Sequence, residues 1–184
     1  DCKELVEAKL LSVDEKFESF SAREVVNSIR DLSSGRSSGN DFLSAEHFKF
    51  AGAPVATHLS LCFTMMAKHM HLPEKLTKVV LTPIVKDKTS SLTAKDNYRP
   101  IAVASVSSKI LERVILNRCS SDLSSGHHQF GFKEKHSADM AIYALKEISD
   151  YFVRNNSPVF ICYLDARKAF DRVNHWTLFN KLGT

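Results

Sequence analysis

The feature that most constrains this sequence is a run of six apolar residues, Val159 to Leu164, that stops at Asp165. An apolar run without alternation is typical of a strand that is covered on both faces, and six residues is an ordinary strand length. We therefore predict a buried strand over residues 159–164. Asp165 should leave this strand where the interior opens onto a cleft, because an isolated buried carboxylate is costly.

A carboxylate in that position has two interpretations. It can bind a hard cation such as Mg²⁺, which takes oxygen ligands and usually keeps waters and phosphates as its other ligands. Alternatively, Asp165 caps the turn that follows the strand. The spacing of residues around Asp165 is compatible with both, so the choice needs further evidence from the sequence.

Composition places the chain among globular proteins, since 43% of its residues are hydrophobic and 25% are charged. Its longest apolar run is far shorter than the roughly 20 residues that span a bilayer. No basic and then apolar leader opens the sequence, and the four cysteines are scattered without a C-x-x-C pair. We therefore expect no membrane association and an intracellular location, in the nucleus or cytoplasm, rather than secretion.

Helical spacing and turn residues predict the order of the elements. Helices are predicted after a capping box at Ser21, from near Pro54 to Met70, over residues 106–118 and 141–152, and after Asn174. Strand-like runs over residues 79–85 and 101–106 are separated by a polar stretch, which suggests a long hairpin, and Pro83 restricts the first run to an edge position or a bulge. The predicted fold class is α+β, with helices packed on a small, mostly antiparallel sheet.

Positive charge is concentrated in part of the chain. Residues 51–100 carry seven basic and three acidic side chains, whereas residues 1–50 carry seven and ten. A clustered basic surface attracts polyanions through counterion release and long-range steering. Charge alone is equally compatible with a solvated basic loop.

Six short segments occur in a fixed order along the chain. They are Arg36–Asp41, Pro83–Lys86, Asn97–Ile101, Lys109–Val114, Gln129–Lys133 and Tyr163–Asp171. Each segment is weak evidence by itself. In this order, however, they resemble the motifs of reverse transcriptases, especially those of non-LTR (LINE-type) retrotransposons.

The resemblance implies a right-hand polymerase architecture, with the fingers and the first part of the palm sheet. On this reading residues 1–34 form an N-terminal helical extension, residues 35–156 a fingers-like region, and residues 157–184 the start of the palm. The later [YF]-x-D-D turn and the thumb of the family do not occur in the sequence. We therefore expect the chain to be a piece of a longer polymerase, whose remaining palm and thumb would be its partners.

The resemblance also implies roles for individual residues. Asp165 would hold two catalytic Mg²⁺ ions, and the carbonyl of Ala166 would assist one of them. Phe170 would lie under the sugar of the incoming deoxynucleoside triphosphate, where a bulky ring excludes a 2′-hydroxyl. Lys86 and Arg99 would hold the triphosphate, and Arg99 suits a bidentate grip.

The remaining implied contacts are to nucleic acid, an RNA template paired with a DNA primer. Gln129 and Lys133 would lie along the template strand. Four of these assignments have alternatives. Lys88 could bind the triphosphate in place of Lys86, and Phe170 could belong to an ordinary core. Arg99 could form an ion pair with Asp96, and Lys133 could form one with Glu134.

Two functions follow from this reading. In the intact polymerase the reaction would be template-directed transfer of deoxynucleotides, while the chain alone, with one acidic strand end, is expected not to extend a primer. The alternative is a non-catalytic nucleic-acid-binding module from a decayed or domesticated element. That module would bind RNA or DNA in a salt-dependent way, independently of magnesium and of Asp165.

Overall fold

A computed structural model describes residues 2–12, 17–123, 125–166 and 169–183. Its contacts group into two compact units, the first unit comprising residues 1–15 and 125–184 and the second unit comprising residues 16–124. The helices are α1 (Cys2–Ser12), α2 (Ala22–Arg30), α3 (Ala45–Lys68), α4 (Glu74–Thr77), α5 (Val106–Arg118), α6 (Ala138–Arg154) and α7 (His175–Leu182). The strands are β1 (Val79–Val85) and β2 (Tyr98–Ala104). The predicted α+β class is confirmed at this level.

Helix α2 begins at the capping box that the sequence predicts. The Ser21 hydroxyl accepts the Glu24 N–H at 3.3 Å, and the Ser21 N–H donates to the Glu24 carboxylate at 2.7 Å. These two bonds satisfy backbone groups that a helix start leaves without partners. The cap sets the helix so that Val25 and Ile29 face the interior, where both are buried.

The second unit has a hydrophobic core made by α2, α3 and α5. Its buried residues are Phe20, Val25, Ile29, Phe48, Ala56, Phe63, Val106, Ile110, Leu111 and Val114. Arg118, at the end of α5, ties the segment before α2 to this core. Its guanidinium donates to the Glu24 carboxylate and to the carbonyls of Glu18 and Ser19, and it lies 4.3 Å from the Phe20 ring centroid.

Helix α3 starts nine residues before the predicted start at Pro54. The sequence prediction missed residues 45–51 because Gly52, at φ 78°, interrupts the helical backbone and separates this first segment from the rest. Met70 was predicted in the apolar stripe but is 80% exposed. α3 is long and apolar enough for a membrane span by length and composition. Its buried residues, which include Phe48 and Phe63, supply the core of the second unit.

Strands β1 and β2 form the predicted antiparallel hairpin. The register runs from Val79 opposite Ala104 to Val85 opposite Tyr98, and it places Pro83 opposite Pro100. Both strands are edges of a two-stranded sheet, so each has a side on which a missing proline N–H is tolerated.

The predicted buried strand over residues 159–164 is wrong. These residues have no strand conformation, and Phe160 and Leu164 are 93% and 94% exposed. Among the described residues the two strands pair only with each other, so the apolar run has no neighbouring strand. A strand that is covered on both faces needs ladder partners and packing layers, and the described residues of the first unit supply neither.

The first unit as a whole has little buried side-chain surface. Helices α6 and α7 contain no buried residue, although α7 starts at the predicted cap, where the Asn174 side chain accepts the Thr177 N–H at 3.2 Å. Helix α1 packs against α7, and Val6 is the one buried apolar side chain of the first unit among those the structure describes.

Candidate functional site

The loop at the tip of the hairpin, residues 86–97, is held by a buried asparagine. The Asn97 carbonyl accepts the Lys86 N–H at 2.8 Å and so extends the ladder by one pair. Its side chain accepts the Asp87 N–H at 3.0 Å and donates to the carbonyls of Asp87 and Ser91. Asn97 was predicted as part of a motif segment, but its role in closing this loop was not. Its place next to Tyr98, at the start of a motif segment, was the available signal.

Asp87 orders the opposite side of the same loop. Its carboxylate accepts hydrogen bonds from the Ser90 hydroxyl at 2.6 Å, and from the Thr89 hydroxyl and N–H at 2.6 and 2.8 Å. The Ser90 hydroxyl and then the Thr89 groups lower the pKa of Asp87 to about 2. The loop therefore carries a negative charge between Lys86 and Lys88 at neutral pH.

Lys86 and Arg99 both belong to the hairpin. Arg99 lies on β2 opposite Ile84, and Lys86 follows the last residue of β1, where its N–H donates to the carbonyl of Asn97, two residues before Arg99. Arg99 is exposed, and among the described residues no ion pair joins it to Asp96. The Lys86 amine instead donates to the Asp96 backbone carbonyl at 2.6 Å, whereas Lys88 is exposed on the loop.

The loop over residues 33–41 packs tightly against neighbouring elements of the second unit. A Cβ atom on Gly39 would lie 2.8 Å from the Ser105 Cα, so only glycine permits this approach. At the other end, the Gly35 N–H donates to the Glu46 carboxylate at 2.6 Å. That bond, followed by the Ser44 hydroxyl, lowers the pKa of Glu46 to about 2.

A groove of about 560 Å³ lies beside this loop. Arg36, Lys109 and Arg113 line it together with Glu112, and Arg113 also pairs with Asp31 at 3.6 Å. Arg36 and Lys109 come from two of the motif segments, so the fold of the second unit brings these segments together. The groove gives the second unit a concave surface with an excess of positive charge, which suits a polyanion.

In the first unit, the two predicted template-binding residues make contacts within their own loop. The half-buried Lys133 donates from its amine to the carbonyls of Ser125 at 3.4 Å and Gly126 at 3.2 Å. The Gln129 side-chain amide donates to the Gly131 carbonyl at 3.2 Å. The alternative of a Lys133–Glu134 ion pair is therefore not what the structure contains.

The residues of the last motif segment are on the surface of the first unit. Asp165 and Ala166 are exposed, and Phe170 is 78% exposed in a short 3₁₀ turn, so Phe170 is not a core residue in this chain. The Phe170 ring meets the ring of Phe132 edge to face, with centroids 6.2 Å apart. Phe132 is a residue that the sequence analysis did not assign to the site.

Asp165 and Ala166 can supply some of the oxygen ligands of a metal site but not a complete set. Its carboxylate and the Ala166 carbonyl are oxygen donors of the kind that Mg²⁺ prefers. Among the residues that the structure describes, however, no three His, Cys, Asp or Glu side chains come together in a way that could hold an ion.

The predicted site residues thus fall into two sets. Lys86 and Arg99 belong to the hairpin of the second unit. Asp165, Ala166 and Phe170 follow one another in the first unit, which also contains Gln129 and Lys133.

Comparison with known proteins gives one family and several relatives. Residues 85–184 match the family described as reverse transcriptase (RNA-dependent DNA polymerase). The chain is 27% identical, over 164 residues, to a protein named as a probable RNA-directed DNA polymerase from transposon BS of Drosophila melanogaster. It is 26% identical, over 162 residues, to the RNA-directed DNA polymerase from mobile element jockey of Drosophila funebris. Both alignments cover 86% of this chain but only 18% of the relative.

Proposed function

The chain belongs to the reverse transcriptase (RNA-dependent DNA polymerase) family, and we propose that it forms the fingers and the beginning of the palm of a longer polymerase. The chain spans about a fifth of the length of the curated relatives it matches. The polymerase activity, its RNA template, DNA primer and deoxynucleoside triphosphates are accordingly proposals about that longer protein. In this proposal residues 35–156 correspond to the fingers and residues 157–184 to the start of the palm.

The observation that carries the proposal is that Lys86 and Arg99 are both exposed on the hairpin, with the Lys86 backbone bonded to Asn97, two residues before Arg99. Two cations this close in register can contact neighbouring phosphates of one triphosphate, and a guanidinium adds a bidentate grip. A cation about 4 Å from a phosphate oxygen contributes about 1 kcal/mol in bulk water and about 4 kcal/mol at an effective dielectric of 20. The hairpin would therefore bind nucleotide strongly only when other parts of the polymerase exclude water.

In the intact polymerase Asp165 would supply one of several carboxylates to the metal site, with the Ala166 carbonyl beside it. The expected cofactor is Mg²⁺, whose chemistry in this reaction class is charge stabilisation on the attacking and leaving oxygens. Phe170 would place its ring under the sugar, and Gln129 and Lys133 would face the template. We further propose that the chain alone does not extend a primer, because it lacks the other carboxylates.

The apolar run over residues 159–164 supports the same proposal. Phe160, Tyr163 and Leu164 are each at least 80% exposed, which is unusual for adjacent large apolar side chains. In the proposed parent, the remaining palm would add neighbouring strands and cover this run. Asp165 would then stand at a strand end, as the sequence pattern predicts.

The decisive experiment is primer extension by the intact polymerase carrying Asp165→Ala. We expect the rate of primer extension to fall by more than about a hundredfold while RNA and DNA binding is kept. The Asp165 carboxylate would act on the reacting phosphate through the metal and would not contribute to binding the nucleic acid. Asp171→Ala is the matched control, since Asp171 lies six residues further along in the same unit, and it should change the rate less than about threefold. Full activity of the Asp165→Ala polymerase would contradict the proposal.

A second experiment decides between Lys86 and Lys88 as the phosphate contact. Arg99→Ala and Lys86→Ala should each raise KM for the deoxynucleotide by about fivefold or more, as expected for the loss of one phosphate contact. Lys88→Ala is the control for Lys86, and a larger effect at Lys88 would reassign the contact. Salt-dependent nucleic-acid binding that does not respond to Asp165 or magnesium, in a protein without polymerase activity, would favour the non-catalytic module.

A further inference from the structure

Two exposed phenylalanine rings of the first unit form a pair. The ring planes of Phe132 and Phe170 make an angle of 86° with centroids 6.2 Å apart, which is the edge-to-face geometry that aromatic pairs prefer. Phe132 is 97% exposed and Phe170 is 78% exposed. Among the described residues, neither ring has another aromatic contact. The pair therefore lies on the surface, where a core-filling role does not account for it.

The backbone of the loop that carries Phe132 is held by hydrogen bonds on both sides of this residue. Phe132 stands on left-handed backbone, at φ 56°, which is uncommon for a bulky residue. The amine of Lys133 and the amide of Gln129 close the loop on either side of it through the carbonyls of Ser125, Gly126 and Gly131. These bonds fix the backbone from which the Phe132 ring projects toward Phe170.

We propose that Phe132 is a positioning residue, which holds the Phe170 ring in one orientation and thereby sets how strictly the polymerase rejects ribonucleotides. This inference rests on the proposed function, in which Phe170 lies under the nucleotide sugar. An exposed ring alone exchanges rotamers within picoseconds to nanoseconds. A ring excludes a 2′-hydroxyl only while it occupies the space of that hydroxyl, so the rotamer population determines selectivity.

The expected size of the effect follows from the strength of an aromatic pair. An edge-to-face contact biases one rotamer over its alternatives by about two- to tenfold. Loss of the Phe132 ring should therefore lower the preference for deoxynucleotides over ribonucleotides by about the same factor. Loss of the Phe170 ring should lower this preference further, because it removes the excluding group itself.

The test measures kcat/KM for a deoxynucleotide and for the matching ribonucleotide in the intact polymerase. Phe132→Ala should lower the ratio by about two- to tenfold, Phe170→Ala should lower it more, and Phe132→Tyr, which keeps the ring, should leave it near the wild-type value. The matched control is Phe42→Ala, since Phe42 is 83% exposed and also stands on left-handed backbone, at φ 57°, but has no ring contact among the described residues. Phe42→Ala should leave the ratio unchanged.

The outcomes separate this inference from the proposed function. If Phe170→Ala relaxes selectivity and Phe132→Ala does not, the positioning role is wrong and the sugar contact of Phe170 stands. If neither variant relaxes it, the sugar contact itself is wrong. A readout on the chain itself is the NMR cross-peak between the two rings, together with the Phe170 ring shifts. The chemical shifts of the Phe170 ring should change in Phe132→Ala and stay the same in Phe42→Ala. Unchanged Phe170 shifts in Phe132→Ala would also overturn the inference.

Discussion

Helices α5 and α6 both have apolar residues at helical spacing, but only α5 buries them. In the second unit, Val106, Ile110, Leu111 and Val114 of α5 are buried against α2 and α3. In the first unit, α6 has seventeen residues and none of them is buried. An apolar stripe predicts a helix correctly in both cases. Burial needs a partner element as well, and α5 has such partners in α2 and α3, whereas α6 packs against no other described element closely enough to bury a residue.

The same contrast separates the two sets of site residues. The hairpin loop with Lys86 is organised by Asn97 and Asp87, and the Arg36 loop by Gly39 and Glu46, all within the second unit. Asp165 in the first unit follows an exposed apolar run. The second unit thus has a hydrophobic core and ordered loops, whereas the described residues of the first unit have one buried apolar side chain, Val6.

The largest expected effect tests the core of the second unit through Phe63→Ala. Phe63 is 1% exposed, so its truncation should lower the free energy of unfolding by about 3–5 kcal/mol through lost burial and the cavity left behind. The measurement is urea unfolding followed by far-UV circular dichroism. Phe50→Ala is the matched control on the same helix, because Phe50 is 87% exposed.

The comparison predicts different responses from the two units in that experiment. Trp176 is the single tryptophan of the chain and lies in the first unit, so its fluorescence reports that unit. We expect the urea concentration at the midpoint of the Trp176 fluorescence change to be the same in Phe63→Ala as in the wild type. Equal destabilisation by Phe50→Ala and Phe63→Ala would show that the second unit lacks the core described above.

A smaller effect is expected at the Glu24–Arg118 pair, and it depends on pH. The hydrogen bond from Arg118, followed by the bonds from Ser21, lowers the pKa of Glu24 from 4.5 to about 2. A lowered pKa contributes stability above pH 4.5, and this contribution is lost as the pH falls toward 2. Since Glu24 is partly exposed, we expect a contribution of about 1–2 kcal/mol at neutral pH.

The measurement compares urea unfolding of the wild type and Glu24→Gln between pH 7 and pH 2. The wild type should be more stable at pH 7, and the difference should shrink as the pH falls below 4.5. In chains that also carry Ser21→Ala or Arg118→Ala, Glu24→Gln should change the stability at pH 7 by less, because each of these substitutions removes a hydrogen-bond donor to Glu24. A difference that stays constant with pH would contradict the assigned cause of the pKa shift.

The smallest effect is expected at Asn174, the cap of α7. Asn174→Ala removes the acceptor for the Thr177 N–H and should cost about 1 kcal/mol. Because α7 has no buried residue, this cost should appear as local fraying of the helix. NMR chemical shifts of residues 175–182 would measure it, and an unchanged helix would show that packing rather than the cap holds α7.

Local structure was predictable from the sequence wherever neighbouring residues decide it. The capping box at Ser21, the cap at Asn174 and the hairpin with its proline at an edge were all predicted, and the structure confirms them. The resemblance to reverse transcriptases is confirmed by the family match over residues 85–184. The start of α3 was missed because Gly52 hides the continuity of two helical segments.

The candidate site was predictable to a smaller extent. The motif segments identify Lys86, Arg99, Asp165 and Phe170 as residue types at a given spacing. The sequence does not show that Asn97 closes the hairpin loop or that Phe132 meets Phe170, because those contacts depend on side-chain packing between residues that are distant along the chain. The assigned roles of Lys86, Arg99, Asp165, Ala166, Phe170, Gln129 and Lys133 stay predictions.

The sequence by itself determined where the helices and the hairpin form, since caps, turn residues and apolar spacing act within a few residues of one another. It also determined the family, through six ordered segments. Only the tertiary structure decided which apolar residues are buried, because burial requires a partner surface that must be present in the same fold. That is why Phe63 lies in a core while Leu164, in an equally apolar run, lies in water.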